Sequence, residues 1–557
     1  MDAPGHADRP ARPLAVPEPA TRSSWDAWGT EPAPLPPGAK ALLTTLLPGK
    51  PRPVPRRERP TLTPSALADD DLTALRGIVG ENGATRADDA RMLHLGGKST
   101  QDLLRRRLDD PQTAPDAVVR PAGHDGVAAV LALCHQRGLA VVPFGGGTSV
   151  VGGVDPERGA HRAVIALDLS GTAALLGLDE VSLLATFGAG TTGPQAEELL
   201  RPRGYTLGHF PQSFAYASLG GYAATRSSGQ ASRGYGRFDD LVHALRVATP
   251  VGDLDLGRSP ASAAGPDLRE LFLGSEGALG VLTEVTVRVR PVPAVTAYRA
   301  WTFPDFASGA SALREATQRG IRPTVLRLSD ETETRVNAVM GGHLTRMRGS
   351  LAVATFEGST PAEAEATRDA LEAIFTAHGA KSRGEDPARS WERGRFSSPA
   401  LRDTLLDAGV LAETLETAAT WARLPGLKTA VTDALTRSLT ASGTKPIVLC
   451  HISHVYPAGA SLYFTVVAAL TEQPQAQWAR AKDAASRAIG EAHGTITHHH
   501  AVGRDHRGYL AGEIGDLGTE ILRRVKSTLD PRSIMNPGVL VPLSGETEMP
   551  HASGLTA

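Results

Sequence analysis

Hydrophobic and polar positions change period several times along the chain, and those changes mark out its organisation. Residues 66–107 carry apolar positions at helical spacing. Residues 116–160 read strand, helix, strand: DAVVRPA, then DGVAAVLALCHQRG with helical spacing and a terminal Gly, then LAVVPF running into glycines. This is a βαβ-like unit. Strands are expected at 163–169 and 183–187 and a helix at 195–201. A Gly/Ser/Tyr-rich stretch follows at 208–236, and further strands end before Pro291. From 295 to about 386 the segments AYRAWTF, SALREATQRG, TVLRLSD, SLAVATFEG and PAEAEATRDALEAIFTAHG alternate between strand and helix, an α+β pattern that defines a second domain. Helices are expected at 399–423 and 427–441, strands at 446–455 and 461–470, a helix at 478–493, and then a strand into a histidine cluster. Residues 515–540 read as a helix followed by DPRSIMNPGVL.

Composition adjusts this outline at its start. Fifteen of the 41 prolines fall in the first 64 residues, where missing amide donors and fixed φ oppose regular structure. Residues 1–64 are therefore an extended arm, interrupted by the island SWDAWG at 24–29, whose two tryptophans are expected to dock on a folded surface. The divisions that follow are a helical region at 65–115, a first domain at 116–293, a cap domain at 294–500, a C-terminal return at 501–543 and a tail at 544–557. Charge excludes some functions: 58 Lys+Arg against 60 Asp+Glu leave a net charge of −2, so no nucleic-acid partner is expected. Two cysteines, Cys134 and Cys450, cannot form a disulfide framework or a four-thiolate metal site, and they fit a reducing, cytoplasmic compartment. The run Val127 to Cys134 has eight apolar residues, where a membrane span needs roughly 20. No secretory signal or organelle address is recognisable.

Three stretches carry candidate chemistry. In the first, Pro143 and Phe144 lead into Gly145, Gly146 and Gly147, followed by Thr148 and Ser149. Three successive glycines allow positive φ and expose consecutive N–H groups in the nest geometry that holds a pyrophosphate, and the two hydroxyls add donors. The second, GHFPQSFAYASLGGYAATRSSG, supplies Pro211, Gln212, Ser213, Ala217, Ser218, Gly221, Thr225, Arg226 and Ser228, small or polar groups suited to a flat heterocycle or a phosphate. The third, GSEGALGVL, supplies Glu276, Gly277, Gly280 and Val281. Each alone is also readable as a flexible loop.

Together, in this order and roughly 65 residues apart, they resemble the cofactor domain of the vanillyl-alcohol oxidase and p-cresol methylhydroxylase flavoproteins. The resemblance implies FAD, held non-covalently because the glycine loop carries no His. It also implies a two-subdomain FAD-binding domain with an α+β cap domain built on an antiparallel sheet. In the catalytic half, HVYPAGASLYF stands where hydroxy-acid dehydrogenases of that superfamily carry HxGDGNxH, and THHHAVG stands where they carry EHG, so no metal is implied. These segments, with the WDAWG island, HLGGKSTQDLLRRR, VLRLSD, LRD and DPRSIMNPG, are similar to the alkyldihydroxyacetonephosphate synthases. That likeness implies a net non-redox exchange of an acyl group for a long-chain alcohol. It gives Tyr463 the catalytic position, His498, His499 and His500 the essential cluster, and Arg402 and Arg327 substrate-binding roles. A lipid or small-molecule substrate, peripheral membrane contact and a homodimer are the partners to expect, with a hydroxy-acid or specialised-metabolite oxidoreductase as the alternative function.

Residue chemistry gives these positions a second basis. Strand alternation puts Tyr463 on a polar face with Ser461 and Thr465, where nearby cationic groups would favour phenolate over a phenol of ordinary pKa near 10. The same alternation sends His498 and His500 one way and His499 the other. A metal role for these histidines stays open, with His451 and His454 as neighbours, although no carboxylate sits at matching spacing. Arg402 is expected on a helix whose Leu405, Leu406, Val410, Leu411 and Leu415 form one apolar stripe, either core or lipid channel. Arg327 falls on the strand face opposite Leu326 and Leu328.

Overall fold

A computed structural model describes residues 24–29, 34–35, 43, 52–340 and 348–541. Most of the proline-rich arm and the 544–557 tail lie outside the described residues. The first sheet contains β1 (Ala84–Thr85), β2 (Ala117–Val119), β3 (Ala140–Phe144) and β4 (Val164–Asp168) in the order β1-β2-β4-β3. β2 and β3 both run parallel to β4. The crossover helix Gly123–Arg137 ends at Gly138, whose φ of +64° is the left-handed turn a helix C-terminus favours. Val127, Val130, Leu131 and Cys134 on its inner face join Val119, Val141 and Ile165 in one core, which is why these parallel strands read as unbroken apolar runs.

The second layer holds β5 (Leu175–Asp179), β6 (Leu184–Gly188), a short β7 (Tyr205–Thr206), β8 (Val242–Thr249), β9 (Gly252–Leu256), β10 (Val281–Arg288) and β11 (Arg290–Pro291). Five of these form an antiparallel sheet in the order β5-β6-β10-β8-β9, while β7 pairs with β11. The third sheet contains β12 (Val295–Phe303), β13 (Val325–Ser329), β14 (Ser350–Gly358), β15 (Lys381–Ser382), β16 (Val410–Thr420), β17 (Ile447–Ile452) and β18 (Gly459–Ala469). It is antiparallel throughout, ordered β15-β12-β14-β13-β17-β18-β16. Helices Phe306–Gln318, Pro361–Ala377, Leu424–Ala441 and Pro474–Glu491 pack on it around Trp301, Phe303, Phe464 and Trp478. The architecture is α+β, with two sheets in the first domain and an antiparallel cap.

Two expected elements differ. The helix over 399–423 is instead a helix at Ser398–Asp407 followed by the strand β16. Gly409, at φ +79° and packed against Arg52, turns the chain between them. The supposed stripe is therefore split: Leu405 and Leu406 lie on the helix and Val410, Leu411 and Leu415 on β16, all buried in cores. The strand expected into the histidine cluster is a loop, which begins at an isolated β-bridge between Thr495 and Ala418 of β16. After the helix Leu510–Leu529 the chain returns to the first domain, where Val141 donates to Ile534 O and Asn536 donates to Val141 O, both at 2.8 Å. This segment covers the open edge of β3.

Candidate active site

The glycine loop leaves β3 and meets the second motif at very short range. A Cβ on Gly145 would lie 2.3 Å from Ser218 Oγ, and one on Gly146 would lie 2.0 Å from Tyr216 O, so neither position accepts a side chain. Gly277 packs likewise on the Pro143 ring. Ser218 caps the helix Leu219–Ala224 by accepting from Gly221 N, and Ala217 O accepts from Gly193 N. Ser149 Oγ accepts from Gly153 N at 2.9 Å. Glu276, at φ +51°, is buried beside that loop and accepts from Val502 and Gly503 N at 3.0 and 2.7 Å, tying in the C-terminal return. Burial pushes its carboxyl up to about 7.

Thr148 and Ser149 continue the glycine loop, Pro211, Gln212 and Ser213 open the turn facing it, and Gly280 and Val281 lead the third motif into β10. Gln212 Oε1 and Ser275 Oγ are buried without a protein partner, as expected of groups reserved for a ligand. The residues fit FAD: a backbone cradle closed to side chains, exposed N–H groups and idle polar atoms along the motifs. Arg226 packs on Gly274 of the third motif, and Ser228 faces the cap. Thr225 and Arg226 line a cavity of about 430 Å³ together with Gly274, Thr497, His498 and His499, and the Arg226 guanidinium is committed to Leu273 O, Asp239 and Glu270. Ser228 Oγ contacts His454 Nδ1 at 3.0 Å. The second motif therefore runs from the cradle to the cap histidines.

Tyr463 lies at the centre of the cap site. Its neighbours Leu462 and Phe464 are fully buried in the core, which fixes the phenol on the opposite face of β18. The ring lies between two imidazoles, His451 at 4.9 Å and His499 at 6.0 Å between centroids, both stacked, with His500 edge-on at 5.7 Å. The expected phenolate is not what this environment favours. Burial raises the phenol pKa against the opposing effects of Thr414 and Arg402, so the proton stays on the oxygen.

The histidine alternation is also replaced, because the segment is a loop wound around a carboxylate. Glu416 pairs across the sheet with Tyr463, and its two oxygens accept from Thr497 Oγ1 and from the backbone N–H groups of His498, His499 and His500 at 2.6–3.0 Å. Ala501, at φ +72°, then turns the chain away. The ring of His498 stacks on His454 at 5.0 Å, and its Nε2 meets Tyr456 Oη at 2.7 Å. Behind His451, Glu333 Oε2 lies 3.1 Å from Nδ1 and Glu333 Oε1 lies 2.5 Å from Arg327 Nη2. Arg402 donates to Lys98 O at 3.1 Å and pairs with Glu413 at 3.0 Å.

Glu416, Glu413, Glu333 and Tyr456 were not singled out in the sequence. Glu416 had a signal, the alternation TLETAAT, which becomes readable once residues 410–420 are taken as a strand.

The electrostatics gives a pH dependence. Burial drives His500 and His209 down to about 3, and lowers His454, His498 and His499 as well, so all are neutral at pH 7. The unfolded chain takes up these protons from about pH 6.5 downward while the folded chain refuses them, so stability falls as pH drops below 6.5. Glu416 acts in the same direction at lower pH, because against the raising effect of burial the hydrogen bonds from the histidine segment, the His499 backbone N–H among them, hold its carboxyl well below the usual range, and its contribution is lost as pH falls below about 4.5. The thermal midpoint of the holoenzyme is expected to decline steadily from pH 6.5 to 4; a flat profile would contradict these burial assignments.

A two-sheet cradle with idle polar atoms, closed by a cap carrying a stacked phenol, defines an FAD-dependent flavoenzyme. Residues 115–255 match the FAD binding domain family and residues 292–540 the C-terminal domain of FAD linked oxidases. The alkyldihydroxyacetonephosphate synthase of Trypanosoma brucei brucei is 32% identical over 88% of this chain and 84% of its own. A solved structure of alkyldihydroxyacetonephosphate synthase superposes with a TM-score of 0.79 at 26% identity, over 93% of this chain and 98% of the other. The mitochondrial cytochrome D-lactate dehydrogenase of Arabidopsis thaliana is 28% identical over 77% of this chain and 74% of its own. The chain belongs to the alkyldihydroxyacetonephosphate synthase family of FAD-dependent flavoproteins.

The glycine loop holds no histidine or cysteine. Acid precipitation of the yellow holoenzyme is expected to leave all flavin in the supernatant, whereas colour retained on the pellet would show a covalent link.

Proposed function

We propose that the protein exchanges the acyl chain of an acyl-dihydroxyacetone phosphate for a fatty alcohol. The observation that carries this reading is the neutral phenol of Tyr463, stacked on the neutral imidazoles of His451 and of His499, the latter on the Glu416 hub, in a chain similar to a named synthase over 88% of its length. FAD, when bound, supplies the electron-accepting ring next to which this chemistry takes place. The chain's own groups divide the remaining work. Tyr463 Oη can give its proton to the substrate, an imidazole that takes up the proton the substrate loses becomes an imidazolium whose charge the Glu416 carboxylate offsets, and Arg402 and Arg327 present guanidinium groups to an anionic substrate.

One observation favours the alternative, a metal-assisted hydroxy-acid dehydrogenase: ligand atoms of His454, His498 and His499 lie within 4.8 Å of one another. Their partners argue against it. His454 Nδ1 is met by Ser228 and Ser232, His498 Nε2 by Tyr456, and the one nearby carboxylate, Glu416, already accepts four donors. The test is incubation of the holoenzyme with palmitoyl-dihydroxyacetone phosphate and labelled hexadecanol. Label is expected in the ether product with one palmitate released per turnover; no incorporation would contradict the proposal.

A further inference from the structure

The SWDAWG island and the buried Lys98 take no part in the chemistry above, yet they are wired to both sides of Arg402. The Trp28 indole, 5% exposed, donates through Nε1 to Lys98 O at 2.9 Å, and the same oxygen accepts from Arg402 Nη1 at 3.1 Å. The Lys98 N–H donates to Ser149 O at 2.6 Å. Backbone atoms of one residue therefore join the island, the substrate arginine and the glycine loop. One position further along the helix, Asp403 Oδ2 accepts from Trp28 N at 2.9 Å and Gly29 N at 3.4 Å.

The island is anchored for this task. Lys98 Nζ donates to the carbonyls of Ser24 and Ala27, and Arg106 spans from Trp25 O to Gly97 O at 2.6 Å on each side. Both side chains are buried, and buried polar groups are tolerated only when such partners are fixed around them. A segment needing only a place to rest would not require a buried lysine, a buried arginine and a buried carboxylate around the neighbours of Arg402.

We propose that residues 24–29 form a strap that sets the Arg402 guanidinium for substrate, with Trp28 and Asp403 as positioning residues. The proposal rests on the reading of Arg402 as an anion-binding group. Lys98 O holds one arm of the fork, Glu413 holds the other, and the strap fixes where that carbonyl lies. Withdrawing the indole N–H lets the Lys98 peptide shift and carries Arg402 with it.

The test is calorimetric titration of dihydroxyacetone phosphate into full-length holoenzyme for the wild type, Trp28→Phe, Arg402→Lys and the double variant. Trp28→Phe is expected to weaken binding roughly 5- to 20-fold with FAD content unchanged, and the double variant to bind no more weakly than Arg402→Lys alone, because the two act through one group. Asp403→Asn, which keeps an acceptor for the strap amides while removing the charge, should show the same non-additivity with Arg402→Lys and serves if Trp28→Phe loses FAD. Wild-type affinity in both strap variants, or losses that add in full to Arg402→Lys, would overturn the strap. Wild-type protein that fails to bind the probe would overturn it together with the role of Arg402. Intact coupling without hexadecanol exchange would support the strap and count against the synthase reading alone.

Discussion

Tyr463→Phe is expected to keep fold and FAD while turnover falls by roughly 10²- to 10⁴-fold, the usual scale for a removed acid–base group. The ring is stacked on His451 and His499, so phenylalanine should occupy the same place although the hydrogen bond of the hydroxyl with Thr414 is lost. What disappears is the phenol oxygen on the β18 face, which burial keeps protonated beside the imidazoles. Because burial keeps the phenol protonated, the wild-type rate should also show no rise on approaching pH 10, which a reactive phenolate would produce. Steady-state rates normalised to bound flavin check both points. Retained activity in Tyr463→Phe would return the residue to a packing role.

Glu416→Gln is expected to lower turnover by a comparable factor for a different reason, and to lower the thermal midpoint as well. The carboxylate accepts three consecutive backbone N–H groups and one hydroxyl, which bends the histidine segment into a loop around it. An amide has one oxygen to offer and places its own N–H groups against the remaining donors. Leaving a buried donor unsatisfied costs about 1–3 kcal/mol. The loop would relax and His499 would leave the Tyr463 ring, while the close contacts of Gly145, Gly146 and Gly277 do not involve Glu416, so FAD should remain. Glu416→Asp, which keeps the charge on a shorter arm, should fall between. Flavin content, melting and rate together check this; a Glu416→Gln enzyme with full rate would show that the hub has no part in catalysis.

How far the sequence carried depended on how local the information was. The βαβ unit, the glycine cradle and the strands β17 and β18 were legible because apolar period and glycine placement are local properties. The polar face of β18 followed from alternation alone. The region 399–423 was misassigned because Leu405 to Leu415 satisfy a helical period and a helix–turn–strand equally well, and only Gly409 marks the break. That one error concealed Glu416, since on a helix it has no reason to face Tyr463, whereas in β16 it lies directly across the sheet from it. The histidine cluster failed in the same way. Its conformation is set by a carboxylate some 80 residues away, and no local pattern contains that information. The phenol's protonation was likewise out of reach, because burial and the positions of Arg402 and Glu413 both depend on tertiary structure.

The central claim is that this site runs an exchange without net oxidation, and the redox balance during turnover tests it most directly. With palmitoyl-dihydroxyacetone phosphate and hexadecanol, palmitate release should proceed at full rate while oxygen uptake and dye reduction stay at background. Steady acceptor reduction driven by a 2-hydroxy acid or another alcohol, with no palmitate released, would contradict it and make the protein an oxidoreductase.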